Sequence, residues 1–189
     1  MPGKLYLVRH GRTAWNGERF LGRADLPLDG TGREQADALV ARFAGVRIDA
    51  IYTSPLQRAQ ATAAPLAATR GLVPIIHDDL QEVDCGAWEG VLKDGHRKIA
   101  RRMPDDPFPD GESLRAAYGR AAAFIATVAP DLDSGADLLV VGHYLTNHLV
   151  SAVLAGIPVE AAFDRPDQRL QTGAAIALDR AGGLIADPR

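Results

Sequence analysis

The sequence predicts an α/β fold: a three-layer αβα sandwich with a mainly parallel central sheet and helices on both faces. Two observations carry this. Short apolar runs at 4–8, 48–53 and 137–142 alternate with longer stretches of helical periodicity. Strands separated by helices of that length are joined by crossovers, which is how parallel neighbours are connected. The 189 residues, 47% of them hydrophobic and 24% charged, suit one domain over 1–189 that buries a sizeable core without cross-links.

Each element has its own signal. Residues 4–8 (KLYLV) form a short buried strand, and Gly11 opens the loop behind it. Residues 17–30 are rich in Gly, Pro and Asp and predict a loop. Thr31 with Glu34 three residues later is a capping-box pattern, and the helix should run to about Ala44 with Ala36, Leu39, Val40 and Phe43 on one face. Residues 48–53 (IDAIYT) read as a second strand. Ser54, Pro55 and Gln57 then fit N-cap, N1 and N3 of a second helix ending near Arg70, with Gly71 as its stop. Residues 72–77 are a strand candidate weakened by Pro74. A short helix is expected around 94–102 and a long one over about 113–129. Residues 137–142 (DLLVVG) make the clearest buried strand. Leu145, Leu149, Val150, Val153 and Leu154 line one face of a helix over 145–155 that stops at Gly156, and two short strands are expected at 168–171 and 174–178.

Composition excludes several function classes. A net charge of −3 lacks the basic footprint of a nucleic-acid binder. No apolar run approaches the ~20 residues of a spanning helix, and the opening MPGKLYLV is too short for a signal-peptide core. Cys85 is the only cysteine, so a disulfide framework and a four-cysteine metal site are both out. These features predict a cytoplasmic protein with no membrane or nucleic-acid partner. Oligomeric state is left open.

In open α/β sheets, sites form outside the carboxyl ends of the strands. The first strand delivers Arg9 and His10 there, the second leads through Ser54 to Arg58, and the strand at 137–142 delivers His143. Two arginines and two histidines around one point repel each other unless an anion lies between them. Phosphate is the natural occupant, because the guanidinium fork matches its oxygens. Neutral imidazole beside a phosphoryl group is a competent nucleophile, and nearby guanidinium charge keeps it neutral. A proton donor for the leaving oxygen is also needed. Glu82 is the candidate, with Asp79, Asp84 and Glu89 as close rivals. No metal is called for: the arginines disfavour a bound dication, and His143 and His148 are five residues apart rather than the four that align zinc ligands on a helix.

Four segments together carry a resemblance: RHGRT at 9–13 with Asn16, SPLQRAQATA at 54–63, LQEVDCGAWEG at 80–90 and VVGH at 140–143. In this order they resemble the histidine phosphatase superfamily, also called phosphoglycerate mutase-like, over roughly residues 4–155. The stretches GRADLPLDGTGREQA (22–36) and GES (111–113) also match. The resemblance implies that His10 becomes phosphohistidine, that Arg9, Arg58 and His143 form the phosphate pocket, and that Glu82 is the general acid and base. It implies that Thr13 and Asn16 touch phosphate or substrate, and that no metal or organic cofactor takes part. The segment after Glu82 is shorter than in the glycolytic mutases, which points to the phosphatase branch and a small phosphorylated substrate. Its basic stretch, Lys93 to Arg102, reads first as a solvated face; lying next to the acid segment, it is also a candidate to meet a second anionic group of the substrate.

Two positions depart from the pattern. Leu21 stands where many members have Gln, and Tyr144 where many have a small residue, often Gly. Tyr144 is expected to narrow the substrate side of the pocket. Phosphoglycerate mutase-type transfer, a catalytically inactive phosphate-recognition module and a zinc hydrolase are the alternatives. An inactive module should have lost His10 or the acid, and the sequence keeps candidates for both.

Overall fold

The computed structural model describes residues 1–93, 104–164 and 170–185. Six strands form one sheet in the order β3-β2-β4-β1-β5-β6. They are β1 (Leu5–Arg9), β2 (Ala50–Thr53), β3 (Ile75–Ile76), β4 (Leu138–Gly142), β5 (Ala175–Leu178) and β6 (Leu184–Ile185). The first four are mutually parallel, while β5 runs antiparallel to β1, and β6 antiparallel to β5.

Alternation along the central strands builds a core on each face. Leu5, Leu7, Leu138 and Val140 pack with Phe124 and Val128 of α3 (Leu114–Asp133) and Leu149 of α4 (Tyr144–Leu154). Tyr6, Val8, Leu139 and Val141 point the other way, against Leu39 of α1 (Gly30–Arg42) and Ala59, Ala63 and Leu66 of α2 (Gln57–Arg70). The result is the expected three-layer sandwich. Among the described residues no helix is long and apolar enough to cross a membrane.

Local signals located the elements but misplaced several ends. α1 begins at Gly30, and its cap is the Asp29 carboxylate, which accepts the Gly32 N–H at 2.8 Å; Thr31 falls inside the first turn. α2 begins at Gln57. Ser54 is not its cap: its hydroxyl accepts the Leu56 N–H (3.2 Å) in the turn ahead of the helix. The capping carboxylate comes from Asp25, which accepts the Gln57 N–H at 2.7 Å. Gly71 does end α2, in the left-handed region at φ 64°. The strand expected at 72–77 shrinks to Ile75–Ile76 at the sheet edge, as Pro74 removes a ladder donor. α3 runs past Pro130 to Asp133, although proline offers no N–H to the helical ladder. Leu170 and Gln171, the described end of the candidate at 168–171, are not strand. The helix expected at 94–102 lies outside the described residues.

Candidate active site

The parallel register puts three strand ends side by side. Arg9 pairs with Gly142, and Val8 and Thr53 both pair with Val141. The residues that follow therefore emerge together at the carboxyl end. The His10 N–H donates to the Gly142 carbonyl (3.0 Å), and the Ser54 N–H to the Val141 carbonyl (3.2 Å). The rings of His10 and His143 lie with centroids 5.1 Å apart, tilted by 56°. Gly142 has no room for a side chain, since a Cβ would stand 2.3 Å from Asn147 Oδ1.

His10 is buried, and its Nδ1 lies 2.7 Å from the Gly11 carbonyl oxygen. A carbonyl only accepts, so Nδ1 carries the proton and Nε2 of the neutral ring keeps its lone pair. Burial holds the His10 pKa well below the usual imidazole value, and the charges of Arg58 and Arg9 push the same way. The Gly11 backbone is itself pinned: its N–H donates to Thr62 Oγ1 (2.9 Å), and Thr62 donates to the Arg58 carbonyl (2.7 Å). A Cβ at Gly11 would stand 2.5 Å from the Gly32 carbonyl oxygen, so the loop requires glycine.

Arg58 is fully buried. Its terminal nitrogens donate to the carbonyls of Ala24 and Gly22, each at 2.7 Å, and its Nε has no partner among the described residues. Burial pulls its pKa down to about 10, against the opposing pull of Glu82, Asp25 and Glu89. Arg9 donates one terminal nitrogen to the Leu170 carbonyl (3.0 Å), and its Nε also lacks a partner. Neither ring nitrogen of the fully buried His143 has a partner among the described residues. Its pKa is likewise held well down, by burial first and then by Arg58, His10 and Arg9. Buried polar atoms are normally satisfied, so the unpartnered nitrogens on Arg9, Arg58 and His143 leave this corner able to take a polar ligand.

Glu82 sits at the amino end of α4, just past His143. Its Oε2 accepts the Leu145 N–H (3.2 Å), and its Oε1 accepts from the N–H groups of Val83 (2.9 Å) and Thr146 (3.1 Å) and from the Thr146 hydroxyl (3.0 Å). It acts electrostatically on both Arg9 and Arg58. The rival carboxylates have other work. Glu89 takes the N–H groups of Arg23 and Ala24, each at 2.5 Å, and so shapes the loop whose carbonyls hold Arg58. Asp84 closes a turn on the Gly86 N–H (2.8 Å), and Asp79 lies 3.7 Å from His77.

The structure thus brings Arg9, His10, Arg58, Glu82 and His143 together. Thr13 and Asn16 are joined to each other: Asn16 Oδ1 accepts from both the N–H (2.7 Å) and the hydroxyl (3.0 Å) of Thr13. Tyr144 opens α4, with its ring 5.2 Å from the Arg9 guanidinium carbon. At the amino end of α2 the Gln57 N–H is taken by Asp25 and is not free for an anion. Lys93, the one residue of the basic stretch within the described residues, is half-buried with its ammonium 6.0 Å from the Phe20 ring centre. Trp88 packs against Phe20 and Phe108, and burial pushes the Cys85 thiol up to about 12, as expected of an inert cysteine. Thr146 escaped the sequence reading. A hydroxyl in the first turn after VVGH was its only signal.

A sequence model described as the histidine phosphatase superfamily (branch 1) matches residues 5–181. Phosphoserine phosphatase 1 of Hydrogenobacter thermophilus is 35% identical over 134 residues, 66% of this chain and 64% of that protein; the chain thus spans less than two thirds of that relative. Probable phosphoglycerate mutase GpmB of Cronobacter sakazakii is 32% identical, over 84% of this chain and 77% of its own. Among solved structures, a mycobacterial glucosyl-3-phosphoglycerate phosphatase superposes with a TM-score of 0.84 at 26% identity, covering 94% of this chain and 90% of that one.

Proposed function

Because the chain belongs to the histidine phosphatase superfamily, whose matched relatives support phosphatase function in general, we propose that it is a cytoplasmic, metal-independent phosphomonoesterase acting on a small phosphorylated metabolite. One observation carries the mechanism. The Nδ1 proton of His10 is committed to the Gly11 carbonyl, so the Nε2 lone pair is the nucleophile, next to a cluster of unpartnered buried nitrogens.

In the first step His10 Nε2 attacks phosphorus, the bond to the leaving oxygen breaks, and Glu82 in its acid form gives that oxygen a proton. Arg9, Arg58 and His143 hold the equatorial oxygens as charge develops on them. Thr13, Asn16 and Tyr144 border the substrate. In the second step Glu82, now a carboxylate, takes a proton from water as the water attacks phosphohistidine, and His10 leaves neutral with inorganic phosphate. Phosphoglycerate mutase-type transfer is the second reading, favoured by the likeness to GpmB; it requires the same phosphohistidine to be passed to product rather than to water.

The test is a phosphate-release screen over phosphomonoesters, with and without a chelator, on the wild type and His10→Ala. Wild type stopped with an alkaline denaturant should carry an alkali-stable, acid-labile phosphoryl group, and His10→Ala should carry none. Residual His10→Ala turnover above about a tenth of wild type, in a folded variant, rules out this nucleophile.

A further inference from the structure

Tyr144 was expected to act on the substrate by its bulk. Its surroundings assign it a different partner. The Arg9 guanidinium carbon stands 5.2 Å from the Tyr144 ring centre. Behind it, the ring meets His148 with centroids 4.9 Å apart, and His148 stacks on Phe163 at 5.5 Å with the rings 14° from parallel. His148 also returns an Nδ1–H bond to the Tyr144 carbonyl (3.1 Å), which fixes the column to the first turn of α4. Arg9 needs such support. Among the described residues its side chain makes one hydrogen bond, to the Leu170 carbonyl, and its buried Nε makes none. A single bond at one tip of the fork leaves the guanidinium free to swing, whereas an aromatic ring packed against it restricts that motion.

We propose that Tyr144 is a positioning residue for Arg9: the column Phe163–His148–Tyr144 holds the Arg9 guanidinium in the orientation that binds a phosphoryl oxygen. This rests on the proposed phosphoryl site but goes beyond it. It also accounts for the departure from the small residue often found at this position, because a glycine there leaves the guanidinium face without support.

The experiment measures orthovanadate affinity by calorimetry, which needs no turnover, together with kcat and KM for a small aryl phosphate. Tyr144→Leu should weaken orthovanadate roughly tenfold, the scale of a desolvated cation–π contact, and Tyr144→Phe should restore most of that loss. In an Arg9→Ala background Tyr144→Leu should change affinity less than about twofold, because its effect runs through Arg9. Circular dichroism checks folding, and Tyr144→Ala serves as a second truncation. Wild-type affinity in Tyr144→Leu, or an equal loss with and without Arg9, overturns the proposal. Wild-type protein that binds orthovanadate yet hydrolyses no phosphomonoester overturns the proposed function and leaves this inference to its own outcome. Wild type that fails to bind orthovanadate overturns both.

Discussion

Arg120 and Glu112 meet as a two-pronged ion pair, with Arg120 Nε and one terminal nitrogen each 2.8 Å from a different Glu112 oxygen. The pair grips the chain on both sides of Glu82. The other terminal nitrogen of Arg120 donates to the carbonyls of Asp79 (2.7 Å) and Gln81 (3.2 Å), while Glu112 accepts the Asp84 N–H (3.2 Å). Burial alone lowers the pKa of Arg120, and Glu112, with the charges of Glu82 and Asp79, more than offsets this. The GES segment thus has a physical role: Glu112 braces the loop carrying the proposed acid, and Ser113 caps α3 through the Ala116 N–H (3.1 Å).

Arg120→Met should therefore destabilise the protein by about 2 kcal/mol, because the largely buried Glu112 loses its two-pronged partner and keeps only the longer contact with Arg23 (3.5 Å). Adding Glu112→Leu should recover part of that loss. Urea unfolding of the two single variants and the double variant measures it, and strictly additive losses would show that the two side chains do not depend on each other.

Glu82→Gln should depress turnover most on alkyl phosphates, whose leaving oxygen needs a proton, and least on activated aryl phosphates. Comparing kcat/KM for the two classes decides the point. Equal losses on both would assign the carboxylate a structural role only, in which three hydrogen bonds hold the amino end of α4.

The two histidines make stability depend on pH. Both have folded pKa values held well below the ordinary ~6.5 of an unfolded chain, by burial first and Arg58 next. Below ~6.5 the unfolded chain binds protons that the folded protein does not, so stability falls with falling pH until the depressed values are passed. In a buffer free of phosphate, His10→Asn should flatten the decline of the urea midpoint between about pH 7 and pH 5. An unchanged slope would mean that the His10 ring titrates normally in the folded protein.

Asp25→Ala should cost roughly 1 kcal/mol, the usual value of a lost helix cap. Thermal unfolding would show it. Ser54→Ala should cost less, because Ser54 closes only the turn before α2, and a larger effect at Ser54 would reverse the capping assignment made here.

The sequence by itself determined the parts whose causes are local. Alternation and apolar runs located β1, β2 and β4, periodicity located the helices, and the residues after each strand followed from the carboxyl-end rule, so Arg9, His10 and His143 were legible before any contact was known. Tertiary structure alone decided the rest. Asp79, Glu82, Asp84 and Glu89 look alike in one short stretch. Only packing puts Glu82 against α4, while Glu89 turns to the 22–24 loop. The α2 cap comes from Asp25, 32 residues from Gln57, and Arg120 reaches back to the Asp79 carbonyl. The Tyr144 ring acquires its partner because β1 and β4 lie side by side. Each of these contacts joins residues far apart in the chain, so each depends on how closing the intervening loop brings elements together, and local pattern carries no record of that.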